Sequence, residues 1–369
     1  MLNLVRCKYN KNGNRKCTRK ILTLRQNIFM KPFACILLLT VVIAINANAQ
    51  PKPSYKIINH IQLEGNGGWD YITMDENAGL LYVSHGSMVQ VVDIKTNKQV
   101  AMIPDTKGVH GITIATEYGK GYISCGKDSA VVVFDVKTFK TTAKVSVGSN
   151  PDAILYDVFS KKVFVFNGRS KDVSILDAKT DKVLATIALE GKPEFSASNE
   201  KGKVYVNIED KGKLCVIDAT SMKVEQCWSV APAEEPSGLA IDHEKQRLFT
   251  VSDKNMVVVD ANTGKILAKL PIGDRVDGVS YDSGLKRAYS ANGDGTMTVV
   301  GEDGNNYKVL ENVLTKKGAR TIAVDSRTHH IYMPTADFGP VPDATPERQH
   351  PRAPILPGTF EVLEIAPVD

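Results

Sequence analysis

Val91-Val92-Asp93-Ile94-Lys95-Thr96-Asn97-Lys98 returns four times further along the chain. The copies are Val133-Phe134-Asp135-Val136-Lys137-Thr138-Phe139-Lys140, Ile175-Leu176-Asp177-Ala178-Lys179-Thr180-Asp181-Lys182, Val216-Ile217-Asp218-Ala219-Thr220-Ser221-Met222-Lys223 and Val258-Val259-Asp260-Ala261-Asn262-Thr263-Gly264-Lys265, at steps of 42, 42, 41 and 42 residues. Each copy reads as an apolar strand ending in Asp, a turn whose amides that carboxylate can cap, and a Lys opening the next strand. The five carboxylates, Asp93, Asp135, Asp177, Asp218 and Asp260, are therefore structural. A period near 42 residues is that of a propeller or an array, because one unit of this length cannot bury both of its own faces.

Outward from this turn, a second anchor opens each unit: Trp69-Asp70, Val109-His110, Pro151-Asp152, Pro193-Glu194, Pro236-Ser237, Val276-Asp277 and Ala319-Arg320, which makes seven units. A short strand follows each anchor, then a polar turn, then a strand such as Leu81-Tyr82-Val83 or Val204-Tyr205-Val206. No helical period of useful length occurs after residue 50, so the reading is all-β: a seven-bladed β-propeller of four-stranded antiparallel blades. The last unit ends in Thr359-Phe360-Glu361-Val362-Leu363-Glu364-Ile365 with only three strands, while Tyr55-Lys56-Ile57-Ile58-Asn59-His60-Ile61-Gln62-Leu63 is an orphan at the other end. The ring is expected to close by pairing this N-terminal strand into the last blade, which removes two open edges.

The first fifty residues have another composition. Met30-Lys31-Pro32-Phe33-Ala34 leads into an apolar run over 35–45 and then Ala47-Asn48-Ala49 before Gln50, the pattern of a signal peptide cleaved after Ala49. The run is too short for a resident membrane helix. Residues 1–29 are expected to be an untranslated or disordered extension, 30–49 the signal peptide and 50–369 the propeller, placed in the periplasm or outside the cell with no resident membrane segment. Nine Lys and Arg and no acid precede Gln50, so the full-chain charge of +5 becomes 37 basic against 41 acidic residues, a net −4, once the leader is removed. That excludes a global basic footprint and makes nucleic acid an improbable partner. Cys35 stands at the start of the apolar run, not after it, so no lipid anchor is expected. Of Cys125, Cys215 and Cys227, the last two fall at facing positions of consecutive strands, and both a disulfide and free thiols are compatible with the spacing.

The strands Tyr82-Val83-Ser84-His85, Tyr122-Ile123-Ser124-Cys125, Phe164-Val165-Phe166-Asn167 and Tyr205-Val206-Asn207-Ile208 precede polar turns, and Pro-Asp or Pro-Glu opens the next unit. This pattern, over residues 54–369, resembles the YVTN-repeat propellers and in particular the YncE-like family. The resemblance implies a secreted or periplasmic propeller, with binding of single-stranded DNA or surface partners in some members and lactonase activity in related propellers. A fold of this kind does not fix a function.

In a propeller the entry to the innermost strand and the loop between the second and third strands share the face around the channel mouth. Asp70, His110, Asp152, Glu194, Ser237, Asp277 and Arg320 thus form a ring, whose carboxylates Asp70, Asp152, Glu194 and Asp277 suit a divalent cation, Ca, Mg or Mn, better than zinc. The same carboxylates also serve as caps for loop amides, and both readings stay open. His110 and Arg320 break the repeat and are the candidate catalytic pair. Candidate ligand-binding residues on the second set of loops are His85, Lys127, Asn167, Arg169, Asn207 and Asn292, with Lys127 and Arg169 placed to clamp an anion. The segment 334–357 carries seven prolines and is a lid or a seam cover, with His350 and Phe338 as its contributions. Trp69 and Trp228 read as blade packing.

No G-x-S-x-G, H-E-x-x-H, phosphate loop or paired C-x-x-C occurs, so the well-marked enzyme classes gain no support. The reading that follows is an exported binding module for a small molecule or protein partner at the channel mouth. The alternatives are a metal-assisted lactone or ester hydrolase and a single-stranded DNA-binding propeller.

Overall fold

The computed structural model describes residues 3–9, 15–21 and 54–369, apart from 305, 346–348, 350 and 369. The chain divides into two compact units, Met1–Lys52 and Pro53–Asp369. In the first, Asn3–Tyr9 and Arg15–Ile21 pair as an antiparallel hairpin. The signal peptide expected over 30–49 lies outside the described residues. Among the described residues no helix is long and apolar enough to cross a membrane.

The second unit is the seven-bladed propeller, each blade an antiparallel sheet of four strands. Blade one runs Trp69–Asp75, Leu80–His85, Met88–Asp93 and Lys98–Ile103 from axis to rim, and blades two to six repeat the order. Blade seven takes three strands from the C-terminal end, Ala323–Asp325, His330–Thr335 and Glu361–Pro367, and its outer strand, Tyr55–Gln62, from the N-terminal side of the unit. The register Tyr55↔Pro367 to Gln62↔Glu361, with the Val368 amide on the Ser54 carbonyl, closes the ring as the sequence leads one to expect. The closing strand is therefore Tyr55–Gln62 and its partner Glu361–Pro367.

The turn that opened the sequence reading behaves as a cap in every copy. Asp93 Oδ1 accepts from the amides of Lys95 and Thr96, Asp135 from Lys137 and Thr138, Asp177 from Thr180, Asp218 from Ser221, and Asp260 from Asn262 and Thr263. The residue before each Lys, Asn97, Phe139, Asp181, Met222 or Gly264, is left-handed, which turns the chain back into the outer strand.

Each second strand buries a ring at one shared position, Tyr82, Tyr122, Phe164, Tyr205, Phe249, Tyr289 or Tyr332, at 1 % exposure or less. Some of these rings also staple blade to blade. Tyr122 Oη donates to the Ala178 carbonyl of the next blade at 2.8 Å, and Tyr205 Oη to that of Ala261 at 2.9 Å. Phe164 has no hydroxyl, and Lys162 Nζ reaches the Ala219 carbonyl at 3.0 Å in its place. Trp69 packs on Phe360, with ring centroids 5.4 Å apart, and Trp228 on Tyr205, at 6.3 Å, so both tryptophans serve blade packing. Cys215 and Cys227 are cross-strand partners with Cα atoms 4.0 Å apart and form a disulfide; Cys125 is free, buried, and its thiol pushed up to about 12 by that burial.

Candidate functional site at the channel mouth

The innermost strands follow one another round the axis, each packed on the next, with Ala323–Asp325 returning to Trp69–Asp75. Because the strand entries are equivalent, this arrangement alone brings the ring residues together. His110 Nδ1 lies 2.5 Å from Asp70 Oδ2 and 3.6 Å from Asp152 Oδ1. Arg320 bonds Asp277 through Nη1, stands 3.6 Å from Asp70 Oδ1, and donates from Nη2 to the Trp69 carbonyl at 3.1 Å. Glu194 is held by Lys192, Nζ to Oε1 at 2.6 Å, and Lys192 also binds Glu209. Ser237 stands apart, its hydroxyl 3.5 Å from the carbonyls of Val251 and Val276. Asp70, His110 and Asp152 offer ligand atoms within 4.8 Å of one another, whereas Glu194 and Asp277 are bonded to Lys192 and Arg320. The ring is thus two ionic clusters and not one uniform circle of acids.

Burial in this crowd of like charge shifts the acids upward. Asp152 is raised to about 6 by desolvation and the charges of Asp70 and Asp277, with His110 opposing. Glu194 is raised to about 8, again by desolvation first and then by Asp152, against the pull of Lys192. Asp277 moves up mainly through burial. For His110 desolvation works downward, but the bond to Asp70 and the charges of Asp152, Asp70 and Glu194 outweigh it and lift the imidazole to about 9.

A feature missed in the sequence stands just inside the ring. The residue after each ring position is Gly111, Ala153, Gly238, Gly278 or Thr321 in five blades, but Tyr71 and Phe195 in the other two. Their rings meet at 4.2 Å, joining blade one to blade four. The glycines are needed for close approach of the strands: a Cβ on Gly238 would come 2.8 Å from the Asp277 carbonyl oxygen. Phe195 also lines a cavity of ≈ 300 Å³ between the inner strands, with Ile72, Met74, Ile241, Tyr281 and Val324. Tyr71 is buried, and its hydroxyl pKa is raised by desolvation and then by Asp152, Glu194, Asp70 and Asp277. Two bulky residues at a position otherwise small were the available signal. Lys192, the other omission, gave none beyond its nearness to Pro193.

The second set of residues divides sharply. His85 is 1 % exposed, bonded to Gln90 Oε1 at 2.9 Å and packed against the tilted Phe360 ring at 3.9 Å, and its burial lowers its pKa. Asn167 is buried against Asp172 and Ser174, and Asn292 against Thr296 and Thr298. Asn207 ties the Ser237 and Gly238 carbonyls of the next blade. These four side chains are committed within and between the blades. Lys127 is exposed and lines a cleft between blades one and two, of which Arg169, exposed on blade three, forms no part. His350 lies outside the described residues. At the base of the 334–357 segment, the Gly339 amide bonds the Pro354 carbonyl and that of Leu356 bonds Asp337, while Phe338 packs 6.0 Å from Trp69 at the seam of blades seven and one.

No family model matches the chain, and no curated protein matches it. Among solved structures, a chain of Kuenenia stuttgartiensis hydrazine synthase is similar, with a TM-score of 0.63 at 15 % identity, covering 73 % of this chain and 94 % of that one. At that identity the likeness is one of fold, and it agrees with a β-propeller.

Proposed function

We propose that this protein is an exported, YncE-like propeller that acts as a binding module, and that its channel mouth takes a positively charged group of a small molecule or protein partner. One observation carries this reading. At the mouth, five carboxylates, Asp70, Asp152, Asp277, Glu194 and Glu209, face three cations, His110, Lys192 and Arg320, and the excess acid is partly buried. Burial first and neighbouring acids second raise the carboxyl pKa values of Asp152, Glu194 and Asp277, and an incoming cation would offset both. The disulfide suits an oxidising compartment and so supports the exported location. Titration calorimetry with a diamine and with Mn²⁺ is the test: Asp152→Asn is expected to weaken binding at least tenfold, and equal affinity in that variant would remove the ring from the reading.

A second reading, metal-assisted opening of a lactone or ester, has its own observation in the convergence of Asp70, His110 and Asp152. These residues would hold a Ca, Mg or Mn ion, which would polarise a carbonyl and activate water. Arg320 would then orient an anionic substrate. Elemental analysis of protein purified without chelator decides it, with near-stoichiometric metal lost in Asp152→Ala as its required result. Single-stranded DNA binding finds less support, since the mouth carries an acidic excess that repels a phosphate backbone.

A further inference from the structure

The cleft beside the ring has the opposite chemistry. It lies between blades one and two, with a volume of ≈ 420 Å³, and is lined by Gly67, Gly68, Gly86, Gly108, Lys107 and Lys127 among others. Gly67, Gly86 and Gly108 have φ of +117°, +63° and +64°. A Cβ on Gly67 would come 2.7 Å from Gly86 Cα, and one on Gly86 2.5 Å from the Asn66 carbonyl oxygen. At Gly67 and Gly86 the floor is therefore bare backbone on which side chains cannot be built.

Part of that backbone is already bonded within the protein. The carbonyls of Gly68, Ser87 and Gly108 each accept a bond, from the amides of Gly86, Thr106 and Gly126 at 2.8, 2.9 and 2.8 Å. Among the described residues, the amides of Gly67, Gly68 and Gly108 have no such partner. Lys107 and Lys127 are both exposed and enter no ion pair among the described residues, although Asp128 beside them is bonded to Lys144 at 2.6 Å. Spare donors, two free ammonium groups and a glycine floor make an anion-binding concavity.

We propose that this cleft is an oxyanion subsite, which takes a phosphate or carboxylate group of the ligand whose positive group meets the acidic ring. The proposal rests on the channel-mouth reading for the whole ligand, but the anion is tested by itself. Inorganic phosphate, titrated into the full chain and followed by ³¹P line broadening, is expected to bind saturably. Lys107→Gln combined with Lys127→Gln should weaken it at least tenfold without changing the phosphate-free melting temperature, while Lys140→Gln, on a rim turn, should leave it unchanged. No saturable binding, or equal binding in the double variant, overturns the subsite. Failure of the ring is read separately, from O-phosphoethanolamine binding no tighter than phosphate, or equally tight in Asp152→Asn.

Discussion

Glu194, Asp152 and His110 hold protons more firmly in the folded ring than in the unfolded chain, at about 8, 6 and 9 respectively. For the two carboxyls the folded state keeps a neutral acid that the unfolded chain has already ionised, so stability falls as pH rises through 6 and 8. The His110 contribution is whole below its ordinary 6.5 and is lost as pH rises through 9. All three act in one direction. The melting temperature followed by scanning calorimetry should therefore decline from pH 5.5 to 9, and Glu194→Gln should flatten the decline and raise the value at pH 8. A melting temperature that climbs over this range would contradict the ring electrostatics. At this scale much was legible: the ring positions follow from a two-residue anchor repeated seven times. Which acids are spent on cations was not, because Lys192 reaches Glu194 and Glu209 through side-chain length and not through any repeat.

Tyr122 and Tyr82 occupy the same place in neighbouring blades and differ only in what their hydroxyls meet. Tyr122 Oη donates to the Ala178 carbonyl and lies 2.8 Å from Asp181 Oδ1, while Tyr82 Oη is buried without a partner among the described residues. Tyr122→Phe is expected to cost about 1–2 kcal/mol and Tyr82→Phe to be neutral or stabilising, as urea denaturation would measure. Equal costs would remove the stapling role given to Tyr122. Opening the hairpin disulfide by Cys215→Ser with Cys227→Ser is expected to cost roughly 2–3 kcal/mol. Strand order, turn caps and buried rings were readable in the sequence because each recurs with the 42-residue step. The outcome for His85, Asn167, Asn207 and Asn292 was not readable: they sit at strand ends where one residue's rotation separates a loop tip from the core, and their amide or ring donors were needed inside.

The propeller unit depends on a closure between its first and last strands. With Tyr55 opposite Pro367, the first and last strands of the ring are adjacent antiparallel neighbours. A circular permutant of residues 54–369 that joins the C-terminus to Ser54 by a short turn and opens the chain near Gly65 should fold and melt within a few degrees of the parent. Deletion of residues 54–62 should instead abolish the cooperative transition, since it exposes Glu361–Pro367 as an open edge next to the seam. The closed ring is also what presents acids from separate blades to one another at the mouth. The most direct measurement is titration calorimetry of the chain at pH 7 with Mn²⁺ and with a diamine, run in two buffers of different ionisation enthalpy to count protons. A cation-binding ring predicts saturable binding by at least one of them with net proton release, lost or weakened tenfold in Asp152→Asn; no binding of either, or binding without proton release and unchanged in that variant, would contradict it.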